Sequence, residues 1–448
     1  MITFLLISMA YKLIPLSQTL KNLLSEKITP VNVNSQMMAI YTEAGIPTTN
    51  FLVLRKVLGN PENEQTFDLV RLLCLQAVSA LSDCYSLFVM KTASTSTAIL
   101  AKKHIPYILS LMMFGLVHRC ISRSEKFSNM PSSNFERLFS CFDSRSTSAM
   151  EAKIKCILGY IQQTTQYADN SKTSVIVKIE GSIHFGVFTD DQKNQKNQKN
   201  PLNPSNPVIL IKPTGGIEST TGILADFANK HIGGGTLGRG SVQEEILFAK
   251  APELIALMLF IQELADTSVA WVRGFRFWSK GKGYGSNFEY DGVEPNSTPR
   301  AMVLLNAIDF SKNVNAQYQP VSVTRELKKA IAAMKTVIEL SKTVSDGPDS
   351  IVKDSGVRPV FGTGNWGCGI FCGDPQLKLL IQYAAAKITG CNLEYFTFGN
   401  AALLQAEEIC QIVSTVPPAK VEELLHILCQ KKAENLGTPC FDLLKSFS

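Results

Sequence analysis

From Val208 onward the chain alternates short apolar stretches with longer amphipathic ones, which limits it to an α/β architecture around a buried sheet. Strands are expected at 208–212, 223–227, 268–273, 302–309, 358–361 and 394–398. Helices are expected at 242–265, 323–344, 374–388, 400–416 and 419–431. This pattern predicts a mixed sheet with helices on both faces and chemistry in the loops at the carboxyl ends of its strands. Up to about residue 165 the texture differs. Phe67–Leu81, Tyr107–Cys120 and Ala149–Ile161 carry apolar residues at three- and four-residue spacing, and Gly45-Ile-Pro and Gly59-Asn-Pro break them apart. Residues 1–165 therefore read as a helical accessory domain and 166–448 as an α/β domain. A strand is expected at Ser174–Ile179. A disordered polar loop is expected over 187–206, where Gln-Lys-Asn repeats three times from Gln192.

Composition excludes several classes. Apolar residues make up 45% of the chain, so disorder is confined to short loops. The net charge of +6 is diluted over 448 residues, which argues against broad or sequence-specific nucleic-acid binding and leaves room for one local anionic site. The 11 cysteines include no Cys-x-x-Cys pair and histidines number five, so no metal site is expected and the thiols read as buried in a reducing compartment. Met1–Ala10 resembles a signal-peptide core but lacks a preceding basic region, and reads instead as a first buried helix or strand. Tyr107–Val117 falls short of the ~18 apolar residues of a membrane span. The expectation is a soluble intracellular protein with no membrane partner.

The most informative segment follows the strand at 223–227: Asp226-Phe-Ala-Asn-Lys-His-Ile-Gly-Gly-Gly, then seven residues, then Gln243-Glu-Glu. Three consecutive glycines admit positive φ and put no side chain in a ligand's way, and a loop of this kind before a helix start forms a diphosphate cradle. A structural turn is the plainer alternative. Gly233, Gly235 and Gly238 also fit a dinucleotide fingerprint, as does Gly362-Thr-Gly-Asn-Trp-Gly. That fingerprint requires an acidic residue about 20 positions on, where Leu254-Ile-Ala-Leu-Met-Leu-Phe lies instead. Glu244 and Glu245 suit the dipole of a first helical turn. They also point ~100° apart, so one can clamp sugar hydroxyls while the other faces a scissile bond. An acid catalyst of glycoside cleavage needs a raised pKa, which apolar shielding supplies.

These residues resemble the signature of the poly(ADP-ribose) glycohydrolase family. Gly362-Thr-Gly-Asn-Trp-Gly-Cys-Gly-Ile-Phe-Cys-Gly-Asp and Tyr395-Phe-Thr-Phe-Gly resemble two further blocks in the family's order. The resemblance implies a macrodomain-like three-layer α/β/α domain with a mixed central sheet, plus an N-terminal all-α accessory domain. It implies hydrolysis of ribose–ribose bonds in poly(ADP-ribose), mainly from chain ends, with no cofactor and no metal. Glu245 falls on the catalytic acid, and Glu244 on the residue holding the adjoining ribose hydroxyls. Asn229 would contact that ribose, and Gly233, Gly234 and Gly235 would cradle the diphosphate.

At the adenosine end the resemblance places Ile217, Glu218 and Gln243, with Tyr284 as an aromatic clasp and Phe398 as a wall. Asn365, Gly369 and Phe371 would line the diphosphate and ribose. Asp226 is left between adenosine contact and loop brace, and His231 is assigned to loop packing. The partners implied are poly(ADP-ribose) and ADP-ribosylated proteins, met by a monomer in the nucleus or cytoplasm in the response to DNA damage. The alternative is a macrodomain that binds ADP-ribose without cutting it, although such readers generally lack the Gln-Glu-Glu.

Overall fold

Period-two alternation along the strands sorts their side chains into two apolar layers. In the strand Ile223–Asp226, Ile223 and Ala225 join one core and Leu224 the other. In Arg300–Leu304, Met302 and Leu304 side with Leu224, while Ala301 and Val303 side with Ile223. The computed structural model describes residues 15–82, 95–117, 130–140, 147–190, 206–342 and 358–447. The expectations for Met1–Ala10 and for the Gln-Lys-Asn repeat lie outside them.

The described strands are β1 (Ser96–Ala101), β2 (Thr165–Tyr167), β3 (Val175–Val177), β4 (Ser182–Thr189), β5 (Ile209–Lys212), β6 (Ile223–Asp226), β7 (Ser268–Phe275), β8 (Ser279–Lys282), β9 (Glu289–Val293), β10 (Arg300–Leu304), β11 (Val360–Gly364) and β12 (Asn392–Phe396). Eight of them form one mixed sheet in the order β1-β4-β7-β10-β6-β11-β12-β5. Neighbours from β10 to β5 are parallel, and β7, β4 and β1 join antiparallel. β2–β3 and β8–β9 are separate antiparallel pairs.

The N-terminal helices are α1 (Gln18–Ser25), α2 (Val33–Ala44), α3 (Leu52–Leu58), α4 (Pro61–Ala80), α5 (Ile105–Met113), α6 (Glu136–Phe139) and α7 (Ser148–Thr164). The later helices are α8 (Gln243–Lys250), α9 (Glu253–Leu257), α10 (Pro320–Lys342), α11 (Pro375–Thr389), α12 (Ala406–Ser414), α13 (Val421–Glu434) and α14 (Cys440–Lys445). The N-terminal helices, α8 and α9 share one continuous core with the Leu224 side of the sheet. The helices α10 to α14 pack on the Ile223 side. The result is the expected three-layer α/β/α arrangement with a mixed sheet and a helical N-terminal portion.

Several elements differ from the expectation. The helix expected over 242–265 ends at Lys250, because Pro252 lacks an N–H and its ring crowds the carbonyl four residues back. Of the loop expected over 187–206, residues 187–189 belong to β4 and 191–205 lie outside the described residues. The expected strand 174–179 is only the short β3. The helix expected over 400–416 is a single turn, Ala401–Leu403, followed by α12. β1 lies within the stretch read as helical: Ala98 and Leu100 are buried while Ile99 is exposed, a two-residue period too short to stand out among helical repeats. It forms the sheet edge by pairing with β4, Ser96 opposite Val187 and Ala101 opposite Ser182. Among the described residues no helix is long and apolar enough to cross a membrane.

The β1–β4 junction is tight at Gly186. A Cβ there would run into the Ser96 carbonyl oxygen and lie 2.9 Å from the Trp271 ring. Gly186→Ala is therefore expected to destabilise the protein by about 1–3 kcal/mol through overpacking. A urea-unfolding midpoint equal to that of the wild type would contradict this contact.

Candidate active site

The parallel strands β6, β11 and β12 bring their carboxyl ends to one edge of the sheet, where the signature residues collect. Asp226 ends β6. The loop after it returns to α8 through hydrogen bonds between side chains and backbone. Gln243 is the first staple: the Phe227 N–H donates to its Oε1 at 2.9 Å, and its Nε2 donates to the Ala225 carbonyl at 2.9 Å.

Glu244 and Glu245 occupy different sides of the loop. Glu244 Oε2 accepts from the Asn229 N–H at 2.8 Å and its Oε1 from the Gly233 N–H at 2.6 Å. Glu245 Oε1 accepts from the Gly235 N–H at 2.8 Å. Its Oε2 accepts from the Val242 N–H at 2.9 Å, just ahead of its own helix. Glu245 is thus a helix cap and a site residue at once. Both side chains are buried, yet their oxygens converge beside the exposed Gly234, where a Cβ would stand 2.7 Å from Glu244 Oε2 and 2.7 Å from Glu245 Oε1. Gly233 and Gly234 adopt φ of 84° and 46°, the left-handed region open to glycine. Gly234 also borders a cavity of about 250 Å³ shared with Asn229, His231 and Met130–Ser132.

The amides of the glycine loop are engaged within the protein. The N–H groups of Gly233 and Gly235 are spent on the two glutamates, and that of Gly234 donates to the His231 carbonyl at 3.1 Å. Gly233 and Gly235 thus hold the carboxylates by their amides.

Charge crowding dominates the electrostatics. Asp226 is fully buried and both of its Oδ atoms lack a hydrogen-bond partner among the described residues. Burial, then the charge of Glu245, pushes its pKa well above the usual carboxylate range. Burial also raises Glu244 strongly, helped by Asp226 and Glu245, while its bonds to the Asn229 and Gly233 amides oppose the rise.

The remaining predicted residues surround this centre unequally. Tyr284 lies between Gly283 and Gly285 on the β8–β9 turn and is 58% exposed. The turn is strapped to the loop before α8 by the Gly285 N–H donating to the Ser241 carbonyl at 2.9 Å. Asn365 and Phe398 follow β11 and β12. Asn365 spends its amide internally, donating to the Thr397 carbonyl at 3.0 Å and accepting from the Tyr395 hydroxyl at 3.3 Å. Phe398 is held half-exposed at φ 52°, a strained conformation for a side-chain-bearing residue.

Gly369 is exposed with open space where a Cβ would go, so the fold itself does not require glycine there. Phe371 is half-buried, and its carbonyl accepts from the Phe310 N–H. Ile217 is buried in a single turn, Ile217–Ser219. The Glu218 carboxylate turns to Lys250 at 3.2 Å and lines a separate cavity of about 420 Å³ with Lys250, Phe277 and Arg300. His231 places its Nε2 3.7 Å from Glu263. Among the described residues no three His, Cys, Asp or Glu side chains are grouped to hold a metal.

The site residue that the sequence reading missed is Lys153, on α7. Its position in an apolar stripe, three residues after Met150 and four before Ile157, was the available signal. It is fully buried against the glycine loop.

Two family models and several known proteins match the chain. Residues 64–180 match the family described as poly(ADP-ribose) glycohydrolase, helical domain, and residues 192–405 match its macro domain fold. "Probable poly(ADP-ribose) glycohydrolase 2" of Arabidopsis thaliana is 28% identical over 375 residues, covering 76% of this chain and 70% of that protein. "Poly(ADP-ribose) glycohydrolase 1" of the same plant is 27% identical, covering 63% of this chain and 60% of that protein. "Poly(ADP-ribose) glycohydrolase 1" of Caenorhabditis elegans is 31% identical over 196 residues, covering 40% of this chain and 23% of that protein. The two domain matches follow one another in the family's order, and the chain belongs to the poly(ADP-ribose) glycohydrolase family.

The raised carboxyl of Asp226 has a consequence for stability. Its folded pKa exceeds the unfolded value of about 3.9, so above that pH the folded state binds more protons than the unfolded one and stability falls as pH rises. Asp226→Asn removes this dependence. The melting temperature of the variant relative to wild type is expected to rise between pH 5 and pH 8; a constant difference would show that Asp226 is not buried as an acid.

Proposed function

We propose, with family membership as the premise, that this chain hydrolyses the ribose–ribose O-glycosidic bond of poly(ADP-ribose), mainly from chain ends, and releases ADP-ribose. The observation that carries the reading is the pair of carboxylates converging beside Gly234, each held by two amides, with a third carboxyl behind them. Burial and neighbouring charge hold the Asp226 and Glu244 carboxyls beside Glu245 well above the usual carboxylate range. Glu245 acts as the general acid and gives a proton to the departing ribose oxygen. Glu244, fixed by Asn229 and Gly233, holds the hydroxyls of the ribose that becomes oxocarbenium-like. Glu245, now a carboxylate, then activates the water that completes hydrolysis.

At the other end of the ligand, Gln243 and Ile217 meet adenine, Tyr284 closes over it and Phe398 walls it. An aromatic ring stacked on a base contributes about 1–3 kcal/mol. Asn229, Gly369 and Phe371 border the ribose and diphosphate. Asn365 contributes by fixing the loop after β11 to the loop after β12. Substrates are proteins carrying the polymer, met in the nucleus or cytoplasm.

The test uses automodified polymer incubated with wild type and with Glu245→Gln. Wild type is expected to release free ADP-ribose. The variant is expected to lose about 10²–10⁴ in rate while still binding ADP-ribose in calorimetry. No release by wild type would end the hydrolase reading in favour of a binding module, and full rate in the variant would end the assignment of Glu245.

A further inference from the structure

The glycine loop turns its carbonyls away from the carboxylates, and they converge on one point. The Lys153 Nζ donates to the carbonyl oxygens of Gly235 at 3.3 Å, Thr236 at 2.9 Å, Gly238 at 2.8 Å, and Gly240. An ammonium has three protons, so four acceptors saturate it and no water is needed. The same peptides are bonded among themselves: the Gly238 N–H at 2.9 Å and the Gly240 N–H at 3.1 Å both donate to the Gly235 carbonyl.

Gly235 is the link. Its carbonyl faces Lys153 and its N–H, on the other side of the residue, holds Glu245 Oε1. Gly240 closes the ring so tightly that a Cβ on it would sit 2.6 Å from Glu245 Oε1 and 2.8 Å from the Gly235 Cα. Lys153 comes from α7, whose Ala149, Ala152 and Cys156 pack on Ile246 and Ala249 of α8. Ser148, at the start of α7, donates to the Ser286 carbonyl at 3.1 Å, beside the turn that carries Tyr284.

We propose that Lys153 is a positioning residue of the active site: a cation supplied by the helical portion that gathers four loop carbonyls and so fixes the Glu245 carboxylate through Gly235. The proposal rests on the hydrolase reading and on Glu245 as its acid. Full burial drives the Lys153 pKa down to about 7, and the Glu245 charge opposes that shift. Four inward carbonyl dipoles favour a positive charge at their centre, and an apolar side chain there would remove a hydrogen-bond donor from each of them. Lys153 acts on the carboxylate, whereas the residues assigned to adenine are held by other contacts. Its loss should therefore affect the chemical step more than binding.

The experiment compares Lys153→Met and Lys153→Arg with wild type for kcat and KM on poly(ADP-ribose), ADP-ribose affinity by calorimetry, and melting temperature. Lys153→Met is expected to lower kcat about 10²-fold, the cost of displacing a catalytic group by roughly 1 Å, with KM and affinity within about threefold. Lys153→Arg, which keeps the charge and the donors, is expected to recover most of that loss. A kcat for Lys153→Met within threefold of wild type would overturn the proposal, and so would losses in kcat, affinity and melting temperature that run in parallel and are not recovered by arginine. If Lys153→Met does not fold, Lys153→Gln keeps N–H donors without the charge. A loss of kcat at unchanged KM that Lys153→Arg recovers then supports the proposal, and an unchanged kcat refutes it. Inactive wild type would refute the hydrolase reading first, a distinct outcome.

Discussion

Three carboxyl groups share one dry space at the end of β6, and most of the local architecture answers that constraint. Left alone, Asp226, Glu244 and Glu245 would repel one another and lose their hydration. The loop between β6 and α8 supplies backbone N–H groups to the two glutamates, two to each. It can do so because Gly233 and Gly234 adopt left-handed φ and Gly240 leaves room beside Glu245. Asp226 receives no such help, and burial raises its pKa well above the usual carboxylate range. The glycines are therefore determined first by the enzyme's own carboxylates and only second by a ligand.

Much of this was legible in the sequence. The alternation after Val208 located the strands of the parallel half of the sheet, because β6, β10, β11 and β12 are mostly buried and read as apolar runs. Gln243, Glu244 and Glu245 stood out because two acids and an amide follow a glycine loop. What stayed hidden has physical reasons. β1 has only six residues, and half of them face outward. The β8–β9 hairpin carries Lys280, Gly281, Glu289 and Asp291, polar residues that read as loop. Pro252 was readable as a break, and the apolar run on either side of it masked the break. The carbonyl-facing role of Lys153 and the internal commitment of the Asn365 amide depend on which backbone groups meet in space, which no spacing in the chain encodes.

Lys153 is one of several lysines used the same way. Lys329 donates to the carbonyls of Ala265 and Ser268 and to Asn306, and Lys432 donates to the carbonyls of Leu436 and Thr438. Lys378 pairs with Glu326 inside the core and lies 4.2 Å over the Trp366 ring, under the loop that carries Gly369. A chain with only 18% charged residues thus places some of them where loops need tying. Lys153, Lys329 and Lys432 each satisfy two or more carbonyls at once, which suits turns whose backbone cannot pair within a helix or sheet.

The pairing of β1 with β4 joins two segments made at different times. As the chain emerges from the ribosome, Ser96–Ala101 and the helices before it are complete well before Ser182–Thr189, and the partners of β4 in β7 come later still. Ala98 and Leu100 then have no sheet to cover, and the helical core lacks the Leu224 face that completes it. Such long-range pairing slows folding and prolongs exposure of apolar surface. The N-terminal helices therefore mature together with the catalytic sheet, not ahead of it.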